Sequence, residues 1–165
     1  MRKDAALTAG MAILLAGCQA TTPNVASRAP RPEVPAPLPV RHQECLALAM
    51  YWEARGEGED GMTAVGWTIM NRVANPAFPS TPCAVVYEGG ETPPCQFSWY
   101  CDGRSDTPRD WPSWQNAMRV AERLLTRPPK DPTSGALYFH SSSVDSAWHR
   151  RRNRTAQVGG HVFYR

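Results

Sequence analysis

Residues 43–73 read QECLALAMYWEARGEGEDGMTAVGWTIMNRV, and this stretch decides the fold. Leu46, Ala49, Met50 and Glu53 stand at i, i+3, i+4 and i+7, so a helix from Gln43 to Arg55 puts all four on one face. Gly56 is a natural stop. Asp60 is the candidate N-cap of a second helix that runs to Val73, with Met62, Val65, Gly66, Ile69 and Val73 as its buried stripe. Asn75-Pro76 ends it. Glu53 is the anomaly in this pattern. Its face meets the core, yet a place near the helix C-terminus lets it look out into a cleft.

Outward from this pair, a third helix begins near Pro112 and carries Trp114, Ala117, Met118, Ala121 and Leu125 on one face, until Pro128-Pro129 stops it. Strand-like pieces lie at Cys95–Tyr100, Ala136–Phe139 and Val162–Tyr164. There are no repeats. Helices with a small irregular β element make the chain α+β.

The 165 residues place all 15 aromatic side chains after position 50, and six of the 16 prolines between Pro23 and Pro39. The folded domain is therefore expected at 42–165, with room for one modest core. The net charge of +3 is too mild for a nucleic-acid binder, which needs a basic stripe interleaved with stacking aromatics. Arg150, Arg151, Arg152 and Arg154 form the one dense basic cluster. It reads as a solvated stretch or as a dock for an anionic polymer.

Arg2 and Lys3 precede an apolar run from Ala5 to Leu15, too short to span a bilayer as a helix. It fits a signal-peptide core. Leu15-Ala16-Gly17-Cys18 resembles a bacterial lipobox, which implies cleavage after residue 17 and a lipidated Cys18. By analogy with bacterial lipoproteins, Gln19 rather than Asp after the cysteine favours the periplasmic face of the outer membrane of a Gram-negative cell over the inner membrane. Residues 18–41 then form a Pro-rich tether of extended, semi-rigid character.

Export also governs Cys45, Cys83, Cys95 and Cys101, an even number in an oxidising compartment. No C-x-x-C pair or H-E-x-x-H motif speaks for zinc, and no cofactor is called for. Three connectivities are open. An antiparallel hairpin of the first two helices favours Cys45–Cys83. The six-residue spacing of Cys95 and Cys101 favours a local bridge if that segment bends back.

The surroundings expected for Glu53 are the apolar bulk of Tyr51 and Trp52 and the negative end of the helix dipole, both of which disfavour ionisation. A carboxylic acid kept protonated near neutral pH is what protonation of a glycosidic oxygen requires. The bland reading is a surface carboxylate paired with Arg55 or Arg72.

The run Tyr51-Trp52-Glu53-Ala54-Arg55-Gly56-Glu57, with Gly61, Ala64-Val65 and Ile69-Met70-Asn71-Arg72-Val73, resembles the SleB/CwlJ-like cell wall hydrolases. Phe78-Pro79, Val85-Val86-Tyr87, Gln96-Phe97-Ser98, Trp114 with Ala117 and Ala121, and Gly160-His161-Val162-Phe163-Tyr164 continue the likeness in order. The four domain cysteines and the Gly89–Pro94 loop depart from the spore enzymes of that family. The resemblance implies a lysozyme-like fold, peptidoglycan glycan strands as substrate, and Glu53 as catalytic acid at the MurNAc-β-1,4-GlcNAc bond.

Two routes follow. A hydrolase, whether muramidase or glucosaminidase, wants a second carboxylate about 5–9.5 Å away. A lytic transglycosylase needs one, because the muramic 6-hydroxyl attacks within the same sugar. Nothing in the sequence demands a second carboxylate, which favours the transglycosylase, as does the chemistry of the spore enzymes. A non-catalytic, lipid-anchored wall-binding protein is the reading from another class. Gln96, Ser98, Tyr138 and His140 are candidate substrate contacts. Arg55, Glu57, Asn71 and Arg72 are expected to support the glutamate helix. A serine triad of Ser141-Ser142-Ser143 with His140 and Asp145 lacks the G-x-S-x-G elbow, and a serine run reads as loop.

Overall fold

The computed structural model describes residues 38–144 and 150–165. The proposed signal peptide, Cys18, most of the tether, and Asp145 lie outside them.

Four helices carry the fold: α1 (Leu38–Ala54), α2 (Gly58–Val73), α3 (Pro82–Val86) and α4 (Trp111–Thr126). Three short strands follow at β1 (Tyr138–Ser141), β2 (Arg154–Val158) and β3 (His161–Tyr164). They pair antiparallel in the order β1-β3-β2, with Tyr138 opposite Tyr164 and Val158 opposite His161.

Helix α1 is the hub. Leu46, Ala47, Ala49, Met50, Tyr51 and Ala54 are all buried, so it is enclosed well beyond a single stripe. It packs against α2, α3 and α4 at once. At Gly66 α2 packs tightly against both neighbours, because a Cβ there would sit 2.4 Å from Leu124 Cδ1 and 2.7 Å from Met50 Sδ. A smaller cluster of Ala64, Ala136 and Phe163 joins α2 to the sheet.

Several boundaries differ from the sequence reading. α1 starts at Leu38, five residues before Gln43, since a proline in the first turn forfeits only an N–H that has no helical partner. α1 ends at Ala54, a 3₁₀ turn covers Arg55–Glu57, and Gly58 rather than Gly56 takes the left-handed conformation at φ 67°. Asp60 is thus inside the first turn of α2, where its charge still favours the helix dipole. The buried face of α4 is Ala117, Val120, Ala121 and Leu124, one residue round from the expected stripe, with Trp114, Met118 and Leu125 on its margin. Asp110 caps it by accepting from the Ser113 N–H.

Segment 95–100 is not a strand. Gln96 N–H bonds to the Glu88 carbonyl at 2.9 Å, and Ser98–Cys101 turn as a 3₁₀ helix closed by Cys95–Cys101. The second bridge joins Cys45 on α1 to Cys83 on α3, with Cα atoms 5.2 Å apart. Both pairings are those that the hairpin and the local bend favour.

Candidate active site

Glu53 projects from the last turn of α1 into a cleft of about 260 Å³. Arg72, Cys95, Gln96, Phe97, Ser98 and Phe139 complete its walls. α1 supplies the acid, α2 the arginine, the disulfide-closed turn the middle wall, and β1 the phenyl ring.

Burial holds the Glu53 carboxyl above the ordinary range, and the fields of His161, the Trp99 indole N–H and Arg72 offset this only in part. Trp99 Nε1 is buried and closes no hydrogen bond, so its N–H favours the carboxylate without capturing it. The apolar bulk comes from Phe97 and Phe139, not from Tyr51 and Trp52, which turn to the other flank of α1. Glu53 closes no ion pair among the described residues. Arg55 lies over the Tyr51 and Trp52 rings instead, at 5.0 Å from each centroid.

Arg72 is buried to 3% exposure and its pKa is pushed down to about 10, chiefly by desolvation. Its Nε–H donates to the Leu137 carbonyl at 2.7 Å. The Phe78, Phe97 and Tyr138 rings surround its guanidinium at 5.4–5.9 Å. With the Gln96 amide oriented by its hydrogen bonds, its oxygen accepts from Arg72 Nη1 at 2.9 Å and Nη2 at 3.3 Å. Gln96 is thus tied to the arginine that faces the acid, while Ser98 remains exposed at the rim.

Asn71 does not brace the glutamate helix. Its Nδ2 donates to Asp131 Oδ2 at 3.0 Å and to the Ala136 carbonyl at 3.1 Å, which fixes the turn that leads into β1. Arg72 and Asn71 are consecutive, and together they dock segment 131–137 on α2.

Glu57 is a clasp. Its Oε2 accepts from His161 Nδ1 at 2.9 Å, across 104 residues of chain. Cβ atoms at Gly61, Gly159 and Gly160 would come within 2.5–2.9 Å of the Glu57 side chain. Only glycines let the β2–β3 turn close on it, and Gly159 also takes φ 54° there. This carboxylate locks the α1–α2 corner to the sheet and takes no part in the lining of the Glu53 cleft.

His140 is engaged on both nitrogens, with Nδ1 at 2.8 Å from the Ser141 carbonyl and Nε2 at 3.0 Å from the Tyr164 hydroxyl. It lies outside the lining of the cleft, as does Tyr138, which packs between the Arg72 and Arg152 guanidinium groups. His161, Trp99 and Phe139 are the residues that sequence reasoning misses. The Gly160-His161 pair is visible in the tail motif, but its contact with Glu57 is a product of the fold.

A family model described as Cell Wall Hydrolase matches residues 56–164. The chain belongs to the cell wall hydrolase family. Among its relatives, the spore cortex-lytic enzyme of Halalkalibacterium halodurans is 32% identical over 131 residues, which is 79% of this chain and 36% of that protein. The spore cortex-lytic enzyme of Bacillus subtilis is 29% identical over 119 residues, 72% of this chain and 35% of that one. The chain therefore spans about a third of the length of these relatives. The crystal structure of the catalytic domain of the Bacillus cereus SleB protein superposes with a TM-score of 0.59 at 27% identity, covering 84% of this chain and all of that one. The catalytic domain of the germination-specific lytic transglycosylase SleB from Bacillus anthracis gives 0.62 at 30% identity, over 80% of this chain and all of that one. The fold is lysozyme-like, as the α+β reading and the resemblance anticipated. The family match begins at Gly56, so the reading of Glu53 rests on the geometry of the cleft.

Proposed function

We propose that this protein cleaves peptidoglycan glycan strands at the MurNAc-β-1,4-GlcNAc bond, as a lytic transglycosylase with Glu53 as its single acid/base. One observation carries the reading: Glu53 is the only carboxylate among the described residues that line the cleft, and its pKa is raised by burial. The protonated carboxyl gives its proton to the leaving glycosidic oxygen. The carboxylate that results takes the proton of the muramic 6-hydroxyl as that oxygen attacks C1. A 1,6-anhydro end forms, and no water is consumed. On this reading Gln96 and Ser98, which line the cleft, hydrogen-bond sugar substituents.

The spore cortex-lytic relatives support the substrate class, and the Bacillus anthracis lytic transglycosylase, a structural neighbour, supports the transglycosylase route. A lipidated Cys18 would hold the domain at the periplasmic face of the outer membrane, with the Pro-rich tether letting it reach the wall. The test is digestion of purified sacculi followed by product masses. Anhydro ends, lighter by one water than hydrolysed ends, are expected. Hydrolysed ends would make the protein a muramidase or glucosaminidase, and intact sacculi would leave it a wall-binding protein.

A further inference from the structure

A second concavity, of about 700 Å³, opens on another flank of α1 and shares no lining residue with the Glu53 cleft. Tyr51, Trp52, Arg55, Arg104, Arg109 and Asp110 line it. Three arginines thus share a pocket with two aromatic side chains.

The pocket is held in shape. Arg55 stacks on Tyr51 and Trp52, and the Trp52 Nε1–H donates to the Asp106 carbonyl at 3.1 Å. The Tyr51 hydroxyl accepts the backbone N–H groups of Arg109 at 3.1 Å and Asp110 at 3.0 Å, which pins the segment carrying Arg109 to α1. Asp110 is the one acid in the lining, and its oxygens are already engaged. Oδ1 accepts from the Ser113 N–H at 3.2 Å and Oδ2 from the Ser113 hydroxyl at 2.6 Å. Among the described residues, no acid forms an ion pair with Arg55, Arg104 or Arg109.

Arg55 is engaged by the Tyr51 hydroxyl and feels the charge of Asp110, yet three arginines against one acid leave an excess of positive charge that suits a ligand with several carboxylates. A single phosphate would fill little of this volume and leave the aromatic walls bare. We infer that the pocket binds the carboxylate-bearing peptide stems carried by the glycan strand, an inference that rests on the proposed substrate. Trp52 is the neighbour of Glu53 on α1, and Arg55 opens the 3₁₀ turn two residues beyond it. The peptide stems are the part of the proposed substrate that carries several carboxylates, and this pocket borders the Glu53 segment with arginines to receive them.

The experiment is calorimetric titration of the full-length chain with the soluble tetrapeptide L-Ala-γ-D-Glu-meso-diaminopimelate-D-Ala. The same peptide with amidated carboxylates and inorganic phosphate serve as separate probes. Saturable binding is expected for the tetrapeptide, weakening with salt and falling about tenfold or more on amidation and in Arg104→Gln/Arg109→Gln. Both arginines are exposed, so the double variant should keep its melting temperature. No binding, binding indifferent to the double variant, or phosphate binding as tight as the peptide would each overturn the inference. Sacculus digestion by the wild type is scored separately. Cleavage without tetrapeptide binding refutes the pocket alone, and binding without cleavage refutes the enzyme reading alone.

Discussion

Glu53→Gln keeps the shape and much of the hydrogen bonding of the acid but removes its proton. The other polar groups on the cleft walls are a primary amide, a hydroxyl and the Arg72 guanidinium, whose pKa near 10 keeps its proton in place at neutral pH. None can substitute as acid, so turnover should fall at least about a hundredfold, equivalent to about 2.7 kcal/mol of barrier. Stability should move the other way. A carboxyl whose folded pKa lies above its unfolded value binds more protons when folded, so wild-type stability falls as pH rises through the window between the two values. Glutamine abolishes that loss. The variant should therefore melt higher than wild type at pH 7–8, with the difference vanishing below about pH 4, where Glu53 is protonated in both states. The assay is release of soluble products from sacculi, with melting curves across this pH range. Near-normal turnover by a well-folded variant would refute the role of Glu53, and a melting difference independent of pH would refute the buried-carboxyl argument.

Glu57→Ala should unfasten the β2–β3 turn from α2, leaving His161 buried without its partner. A loss of about 1–3 kcal/mol in chemical denaturation is expected, whereas Glu57→Gln should retain most stability and turnover. Loss of turnover in a stable Glu57→Gln would point to a second catalytic carboxylate. The Cys45–Cys83 bridge spans 38 residues and the Cys95–Cys101 bridge six, so chain entropy assigns them about 4 and about 2 kcal/mol. Cys45→Ser/Cys83→Ser should thus lower stability more than Cys95→Ser/Cys101→Ser, and the reverse order would contradict this account. Cys18→Ser should release the protein from membranes, and unchanged membrane attachment in cell fractionation would sink the lipoprotein reading.

Local rules make much of this chain legible. The i, i+3, i+4, i+7 spacing around Met50 and Glu53 announces a helix with an acid on its core-facing side, whatever the rest of the chain does. The stops at Pro76 and Pro128 follow from equally local chemistry, and a simple hairpin favours, among three open connectivities, the cysteine pairing found. The 95–100 segment misleads because alternating apolar residues suit a strand, while the short bridge across it forces a turn. β2 escapes a sequence reading because Arg154–Val158 exposes much of its length and has little hydrophobic alternation.

What the sequence by itself determined is the helical frame and the place of Glu53 on the core-facing side of its first helix; it favoured, among three, the cysteine pairing that the fold contains. The environment of that acid belonged to the tertiary structure alone. Phe139 and His161 are 86 and 108 residues from Glu53 in the chain, and Arg72 is 19 away. Their effects on its proton depend on distance through space and on exclusion of water, neither of which has any local signature. The same reason explains Glu57. The motif offers it only as a support for the helix that carries Glu53. Only the closing of three glycines and a distant histidine around it makes it a fastener.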